Sequence, residues 1–132
     1  MATLDTNCLL RWLVRDDPAK TAQVDALLVS GQHLRVPDVA LIETVYVLEG
    51  HYRFSRAEVA QAIRLLIGQA GFDIDRAHWV EIIDLYQSHP KLSCSDIFLA
   101  IDARHHNEEP LITFDKKLVN QLGAVSPAAF TA

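Results

Sequence analysis

The sequence predicts an α/β fold with a short, mainly parallel central sheet flanked by helices, and three observations carry that prediction. Apolar stretches of strand length alternate with longer segments of helical period along the whole chain, the pattern of a parallel sheet covered on both faces. The helical segments carry their own start and stop signals. Half of the residues are hydrophobic and 22% are charged, the balance of a packed domain rather than a disordered chain. With 132 residues and no repeat, low-complexity tract or Gly/Ser linker, the chain reads as one domain, 1–132.

The elements follow in order. The opening residues through Thr3 and Leu4 read as a short strand ending at Asp5, and residues 7–14 as a short apolar helix. Asp17-Pro18 is a strong helix start, a capping carboxylate followed by proline in the first turn; this helix runs through Val24, Leu27 and Leu28 to a stop at Gly31. Residues 33–36 form a short strand. Pro37 and Asp38 open the next helix, in which Leu41, Ile42, Val45 and Leu48 recur on one face. Ser55-Arg56-Ala57-Glu58 fits a capping box, with Phe54 and Val59 placed for a hydrophobic staple. That helix extends to about Gln69, before Gly71. Residues 72–74 suggest a strand, residues 76–88 a helix ending before Pro90, and a further helix begins near Ser93 with Ile97, Leu99, Ala100 and Ile101. Leu111-Ile112-Thr113-Phe114 reads as a strand, residues 116–122 as a short helix, and residues 123–125 as an edge strand.

Several function classes are excluded early. No apolar run approaches the length needed to span a bilayer, and Met1-Ala2-Thr3-Leu4-Asp5 lacks the basic segment and apolar core of a signal peptide; the cytoplasm is the expected compartment and no membrane is a partner. Cys8 and Cys94 form no C-x-x-C pair and read as free, small, apolar residues. The six histidines offer no H-x-x-x-H spacing, and His105-His106 reads as an exposed helix end. The net charge of −5 argues against a broad basic face for nucleic acid. Four acids serving as metal ligands would leave the rest of the molecule nearly neutral, so RNA is not excluded.

Four acids stand out: Asp5, Glu43, Asp96 and Asp115. Each has a structural reading. Asp5 and Asp115 can cap the helices that follow them, Asp96 lies three residues after Ser93 at a helix start, and Glu43 can point to solvent. Their combination points further. Asp5 and Asp115 each follow an expected strand, which would put both carboxylates on the sheet edge where ligands bind in open parallel sheets. Glu43 sits among Leu41, Ile42, Thr44, Val45, Tyr46, Val47 and Leu48, so the sequence suggests a buried carboxylate. No basic residue lies three or four positions away, and a buried charge needs a compensating cation. A weaker form of this reasoning applies to Asp96, ahead of Ile97-Phe98-Leu99-Ala100-Ile101. Carboxylate sets suit hard cations such as Mg²⁺ or Mn²⁺, and such clusters commonly serve phosphodiester hydrolysis. The residues alone reach metal-dependent phosphoryl chemistry, not RNA.

Leu4-Asp5-Thr6-Asn7, then Leu9-Leu10-Arg11 and Asp16-Asp17-Pro18, closely resembles the opening of the VapC-type toxins of the PIN-domain family. Ile42-Glu43-Thr44-Val45-Tyr46-Val47-Leu48 resembles the family's second acidic motif. Ser95-Asp96-Ile97-Phe98-Leu99-Ala100 resembles the third, and Leu111-Ile112-Thr113-Phe114-Asp115-Lys116-Lys117-Leu118 the fourth. The motifs span essentially the whole chain in the family's order, with no acid lost. The resemblance implies a PIN-like three-layer fold and a metal-dependent endoribonuclease, the toxin of a type II toxin–antitoxin system. Asp5, Glu43, Asp96 and Asp115 would hold Mg²⁺ or Mn²⁺, and Thr6, Asn7 and Thr113 would orient the carboxylates or a water. Water would attack the RNA phosphodiester to leave a 5′-phosphate and a 3′-hydroxyl. A VapB-type antitoxin, a homodimer, and promoter DNA bound only through the antitoxin are the implied partners.

Arg11, Arg15, Lys116 and Lys117 are candidates for RNA phosphate contacts, with solvated surface charge as the other reading of each. Trp12 reads as core or dimer interface rather than a platform for bases. Asp102 stands where the family pattern leads one to expect a small residue, as a supporting acid or as surface. The competing function is a non-catalytic metal- or protein-binding module with the same fold. A receiver-type phosphoacceptor domain is disfavoured by the helical setting of Glu43, and a structure-specific DNA nuclease by the short chain.

Overall fold

A computed structural model describes residues 2–131. The elements run β1 (Ala2–Thr3), α1 (Thr6–Val14), α2 (Pro18–Val29), β2 (Leu34–Arg35), α3 (Asp38–Gly50), α4 (Arg56–Gly68), β3 (Phe72–Asp73), α5 (Arg76–Ser88), α6 (Cys94–His105), α7 (Lys116–Leu122) and α8 (Pro127–Thr131). The three strands form one parallel sheet in the order β1-β2-β3, with Ala2 opposite Leu34 and Leu34 opposite Phe72. Each strand-to-strand connection contains two helices, as parallel pairing requires a long crossover. The expected α/β fold with a short parallel sheet among helices is the one observed.

Helix starts follow side-chain chemistry closely. Asp5, Asp17, Ser55, Asp75, Ser93 and Asp115 all cap, each accepting from a backbone amide in the first turn that has no partner within the helix. Ser55 and Glu58 complete the expected capping box from both sides. Gly123 ends α7 at φ 74°, where a side chain would be strained. The core joins Leu34 and Phe72 from the sheet, and Val36 just beyond β2, to Leu41, Val45 and Leu48 of α3, Ile63 and Leu66 of α4, Trp79 and Ile82 of α5, and Ile97 and Ile101 of α6. Helix α5 packs against both α4 and α6, and α1 against α2 and α3. Trp12 is half-buried and meets the edge of Phe72 at 5.1 Å between ring centres. Cys94 is buried and Cys8 half-buried, both free thiols. No helix among the described residues is long and apolar enough to cross a membrane.

Three expectations need correction. The segment Leu111-Ile112-Thr113-Phe114 is not a strand of the sheet: Ile112 pairs only with Val125, in a lone parallel bridge. The Thr113 amide donates to the Val125 carbonyl, and the Val125 amide to that of Leu111. The Thr113 hydroxyl then accepts from the Asp115 amide at 3.0 Å, turning the chain into α7 before a strand can extend. Asp115 therefore follows this bridge rather than a sheet strand. Second, Glu43 is exposed. The apolar run around it is still one-sided, because Val39, Glu43, Tyr46 and Gly50 form an outward stripe while Ala40, Leu41, Thr44, Val45 and Leu48 are buried. Third, the chain forms a short C-terminal helix, α8, that the sequence pattern did not suggest; the Ser126 hydroxyl accepts from the Ala129 amide at its start.

Candidate metal centre

Asp5 leaves β1 and caps α1, so its position is set twice, by the sheet and by the helix. The Cys8 amide donates to its Oδ1 at 3.0 Å, and that backbone hydrogen bond holds the carboxyl below its ordinary value despite slight desolvation. The group is thus a carboxylate at neutral pH. Burial, followed by the nearby Asp5 carboxylate, pushes the Cys8 thiol up. That thiol is protonated, which suits a neighbour of an anionic site rather than a nucleophile.

Glu43 arrives from a different element, one third of the chain away, and is tied to the same place. The Thr6 hydroxyl donates to Glu43 Oε2 at 3.1 Å and lies 3.5 Å from the Ala40 carbonyl. Thr6 is the first residue of α1, so it follows Asp5 directly while holding Glu43 of α3. Between these helices opens a cleft of about 490 Å³ lined by Thr3, Leu4, Asp5, Thr6, Asn7, Pro37, Val39, Ala40 and Glu43. Its position, just beyond the carboxyl ends of β1 and β2, is where a parallel sheet presents its ligand site. Asn7, exposed at the rim, adds an amide.

Asp96 lies in the first turn of α6 and is half-exposed. A hydrogen bond that sequence reasoning did not find connects this helix start to α3: Tyr46 Oη and Ser95 Oγ are 2.7 Å apart. Tyr46 stands one turn beyond Glu43 and Ser95 immediately precedes Asp96, so the bond joins the two acid-bearing segments. Asp115 caps α7 through Oδ1, which accepts from the Lys117 amide at 2.8 Å. Thr113, expected to orient a carboxylate, meets the Asp115 backbone amide instead. No hydrogen bond among the described residues joins Asp96 or Asp115 to Asp5 or Glu43, and no group of three or more His, Cys, Asp or Glu side chains is gathered closely enough to enclose an ion.

Charge pairing separates these acids from most of the other carboxylates, although Asp38, Glu49, Glu58 and Glu108 also lack a basic partner among the described residues. Other carboxylates make the ion pairs: Asp16 with Arg11, Asp25 with Arg15, Asp84 with Arg64, and Glu81 and Glu109 with Arg104. Among the described residues none of Asp5, Glu43, Asp96 and Asp115 has a basic partner within 4.0 Å. Asp102 pairs with His106 at 3.4 Å and is a surface acid of α6. The same ion pairs occupy two of the four basic residues considered for RNA: Arg11 also donates to Tyr52 Oη at 2.8 Å, and Arg15 to the Trp12 carbonyl. Lys116 and Lys117 are exposed, with no acidic partner among the described residues.

The family model of the PIN domain matches residues 2–121, nearly the whole chain. The chain belongs to the PIN domain family. A VapC ribonuclease of Aquifex aeolicus (strain VF5) is 25% identical over 121 residues, which cover 89% of this chain and 89% of that protein. No solved structure matches. The four acidic motifs read from the sequence lie within the matched segment, and the α/β fold with its short parallel sheet is the one that membership entails.

Proposed function

We propose that this PIN-domain chain is a divalent-metal-dependent endoribonuclease, the toxin of a toxin–antitoxin pair acting in the cytoplasm. The observation that carries the reading is the pair Asp5 and Glu43. Two carboxylates without a basic partner, one capping α1 and one on α3, line one open cleft at the sheet's carboxyl edge, and Thr6, the residue after Asp5, donates its hydroxyl to Glu43. The similarity to a VapC ribonuclease supports the choice of RNA as substrate and of a VapB-type antitoxin as partner.

The donor set fits Mg²⁺ or Mn²⁺. The four acids offer only hard oxygen ligands, and none is neutralised by a basic side chain. Mg²⁺ keeps several of its waters and binds through one or two carboxylates together with substrate phosphates, so a site need not enclose the ion before RNA arrives. Asp5 and Glu43 would be the direct ligands, with Asp96 and Asp115 completing the acidic rim. The bound cation supplies charge neutralisation at the phosphoryl oxygens and a more acidic water. The protein's own part is positional. Asp5 is held as a carboxylate by the Cys8 amide, Glu43 is oriented by Thr6, and Lys116 and Lys117 bring positive charge beside Asp115. Both carboxylates are exposed and solvated, so they can be reached by a hydrated cation and by a polymer. Homodimerisation and promoter binding through the antitoxin belong to the same reading.

The test is cleavage of total cellular RNA by purified protein free of antitoxin, with Mg²⁺, with Mn²⁺ and with EDTA, alongside Asp5→Asn. Asparagine still caps a helix, so the variant should fold. Discrete metal-dependent fragments from the wild type, absent from the variant, are expected. Folded wild-type protein that cleaves under no condition would instead support a non-catalytic binding module.

A further inference from the structure

Phe114 is the most exposed aromatic side chain among the described residues, at 87%. Single exposed apolar residues are ordinary and carry nothing by themselves. This one is flanked by chemistry. It immediately precedes Asp115, so their Cα atoms are about 3.8 Å apart. Lys116 and Lys117 follow, both exposed and without an acidic partner among the described residues. Beside the ring lies a cleft of about 400 Å³ whose lining includes Thr113, Phe114, Lys116, Asn120 and Ser126. An unpaired π-face, two cations and an adjacent amide and hydroxyl are the groups that hold an unpaired base and its phosphates.

We propose that Phe114 is the platform on which one unpaired base of single-stranded RNA stacks next to Asp115, with Lys116 and Lys117 on the flanking phosphates and Asn120 within the base-edge pocket. This rests on the ribonuclease reading above and adds to it the place where the strand is gripped. The charge favours RNA over a second copy of the chain. A two-fold contact centred on Phe114 would set the lysine pairs of the two copies against each other. Stacking needs an unpaired base, so the platform selects single strands over duplex. Asn120 can both donate to and accept from a base edge, a means of preferring some bases to others.

The test compares wild type, Phe114→Ala, Phe114→Trp and Lys116→Gln/Lys117→Gln. The probe is a fluorescein-labelled single-stranded RNA of about a dozen nucleotides, a length within the range of single-strand sites. Binding is read by anisotropy in EDTA across a salt series, and cleavage of the same RNA with Mn²⁺. Phe114→Ala should weaken binding roughly ten- to a hundredfold and raise KM more than it lowers kcat. It should leave the salt slope unchanged. The double lysine variant should lower that slope by about 0.7 for each phosphate no longer neutralised. Phe114→Trp should keep binding, with its indole emission quenched by the RNA. Because the side chain is exposed, these changes leave the core untouched. Wild-type cleavage with Phe114→Ala binding and cleaving equally well overturns the platform while the ribonuclease reading stands. A change of oligomeric state in Phe114→Ala without loss of affinity also overturns it, assigning the ring to a second copy. Wild-type protein that neither binds nor cleaves removes both readings.

Discussion

Arg56 should be among the most costly single residues to lose, for a reason visible at the end of α5. The Tyr86 carbonyl belongs to the last turn of that helix, and the residue four positions on is Pro90, which has no amide to donate. Arg56 replaces the missing donor. Its Nε and Nη2 donate to the Tyr86 carbonyl at 3.0 and 2.9 Å, and Nη2 also donates to the carbonyls of Leu92 at 2.6 Å and His89 at 3.3 Å. Its guanidinium carbon lies 3.7 Å from the centre of the Tyr86 ring. His89 keeps a bond from the Leu92 amide, so Arg56→Met leaves the carbonyls of Tyr86 and Leu92 without this donor. Each unsatisfied carbonyl costs about 1–3 kcal/mol, and removing the cation–π interaction about 0.5–2 kcal/mol. Arg56 is half-buried and water reaches part of the gap, so a total of about 2–4 kcal/mol is the reasonable expectation. An unfolding entropy of about 2.1 cal/mol/K per residue converts this to a Tm loss of roughly 7–14 °C for a chain of this length. Urea unfolding followed by circular dichroism, with calorimetry for Tm, measures it. Arg56→Lys should fall between, because one ammonium cannot reach three carbonyls. The variant should also weaken metal binding, since Leu92 leads directly into the cap of the helix that carries Asp96. A loss below about 0.5 kcal/mol, the level of an ordinary surface change, would refute the reasoning.

Thr6→Val keeps the shape of the side chain and removes its hydrogen bond to Glu43; Mn²⁺ affinity by calorimetric titration should fall roughly tenfold or more, with Tm nearly unchanged. Burial pushes the Cys94 thiol up from 9.0 to about 12, so its contribution to stability is complete below the unfolded value and is lost as pH rises through that interval. Cys94→Ala should therefore lessen the alkaline loss of stability between those pH values, read as urea midpoints. Ser55→Ala removes the hydroxyl that accepts from the Glu58 amide, while the backbone amide at position 55 can still donate to the Glu58 carboxylate; it should cost about 1 kcal/mol, measured by the same unfolding curves.

The features legible in the sequence were those decided by neighbours along the chain. Asp17 before Pro18, Ser55 before Glu58 and Ser93 before Asp96 each predicted a helix start, because a cap and its amide lie within a single turn. Features decided across the fold were less legible. The residues at 111–114 have strand-like composition, but composition does not choose a hydrogen-bonding partner, and theirs is Val125 rather than the sheet. The neighbours of Glu43 are apolar, yet burial depends on which side of α3 meets the core, and Glu43 lies on the other side. Arg11 and Arg15 look available for phosphate until Asp16 and Asp25 fold against them. For the site itself, the sequence pointed to four acids together, with Asp5 and Asp115 on one sheet edge; Asp5 and Glu43 line one cleft, and Asp96 and Asp115 are not among its lining residues. The Tyr46–Ser95 bond that ties Glu43's helix to Asp96's was not legible, since nothing in the spacing of those two hydroxyls predicts their meeting.

The most direct test of the central claim is calorimetric titration of Mn²⁺ into antitoxin-free wild-type protein and into Asp5→Asn, Glu43→Gln, Asp96→Asn and Asp115→Asn in turn. The expected result is saturable binding by the wild type, strongly weakened by the changes at Asp5 and Glu43 and measurably weakened by the other two. Wild-type affinity retained in Asp5→Asn or Glu43→Gln, in protein shown to be folded, would contradict the assignment of this cleft as the metal centre.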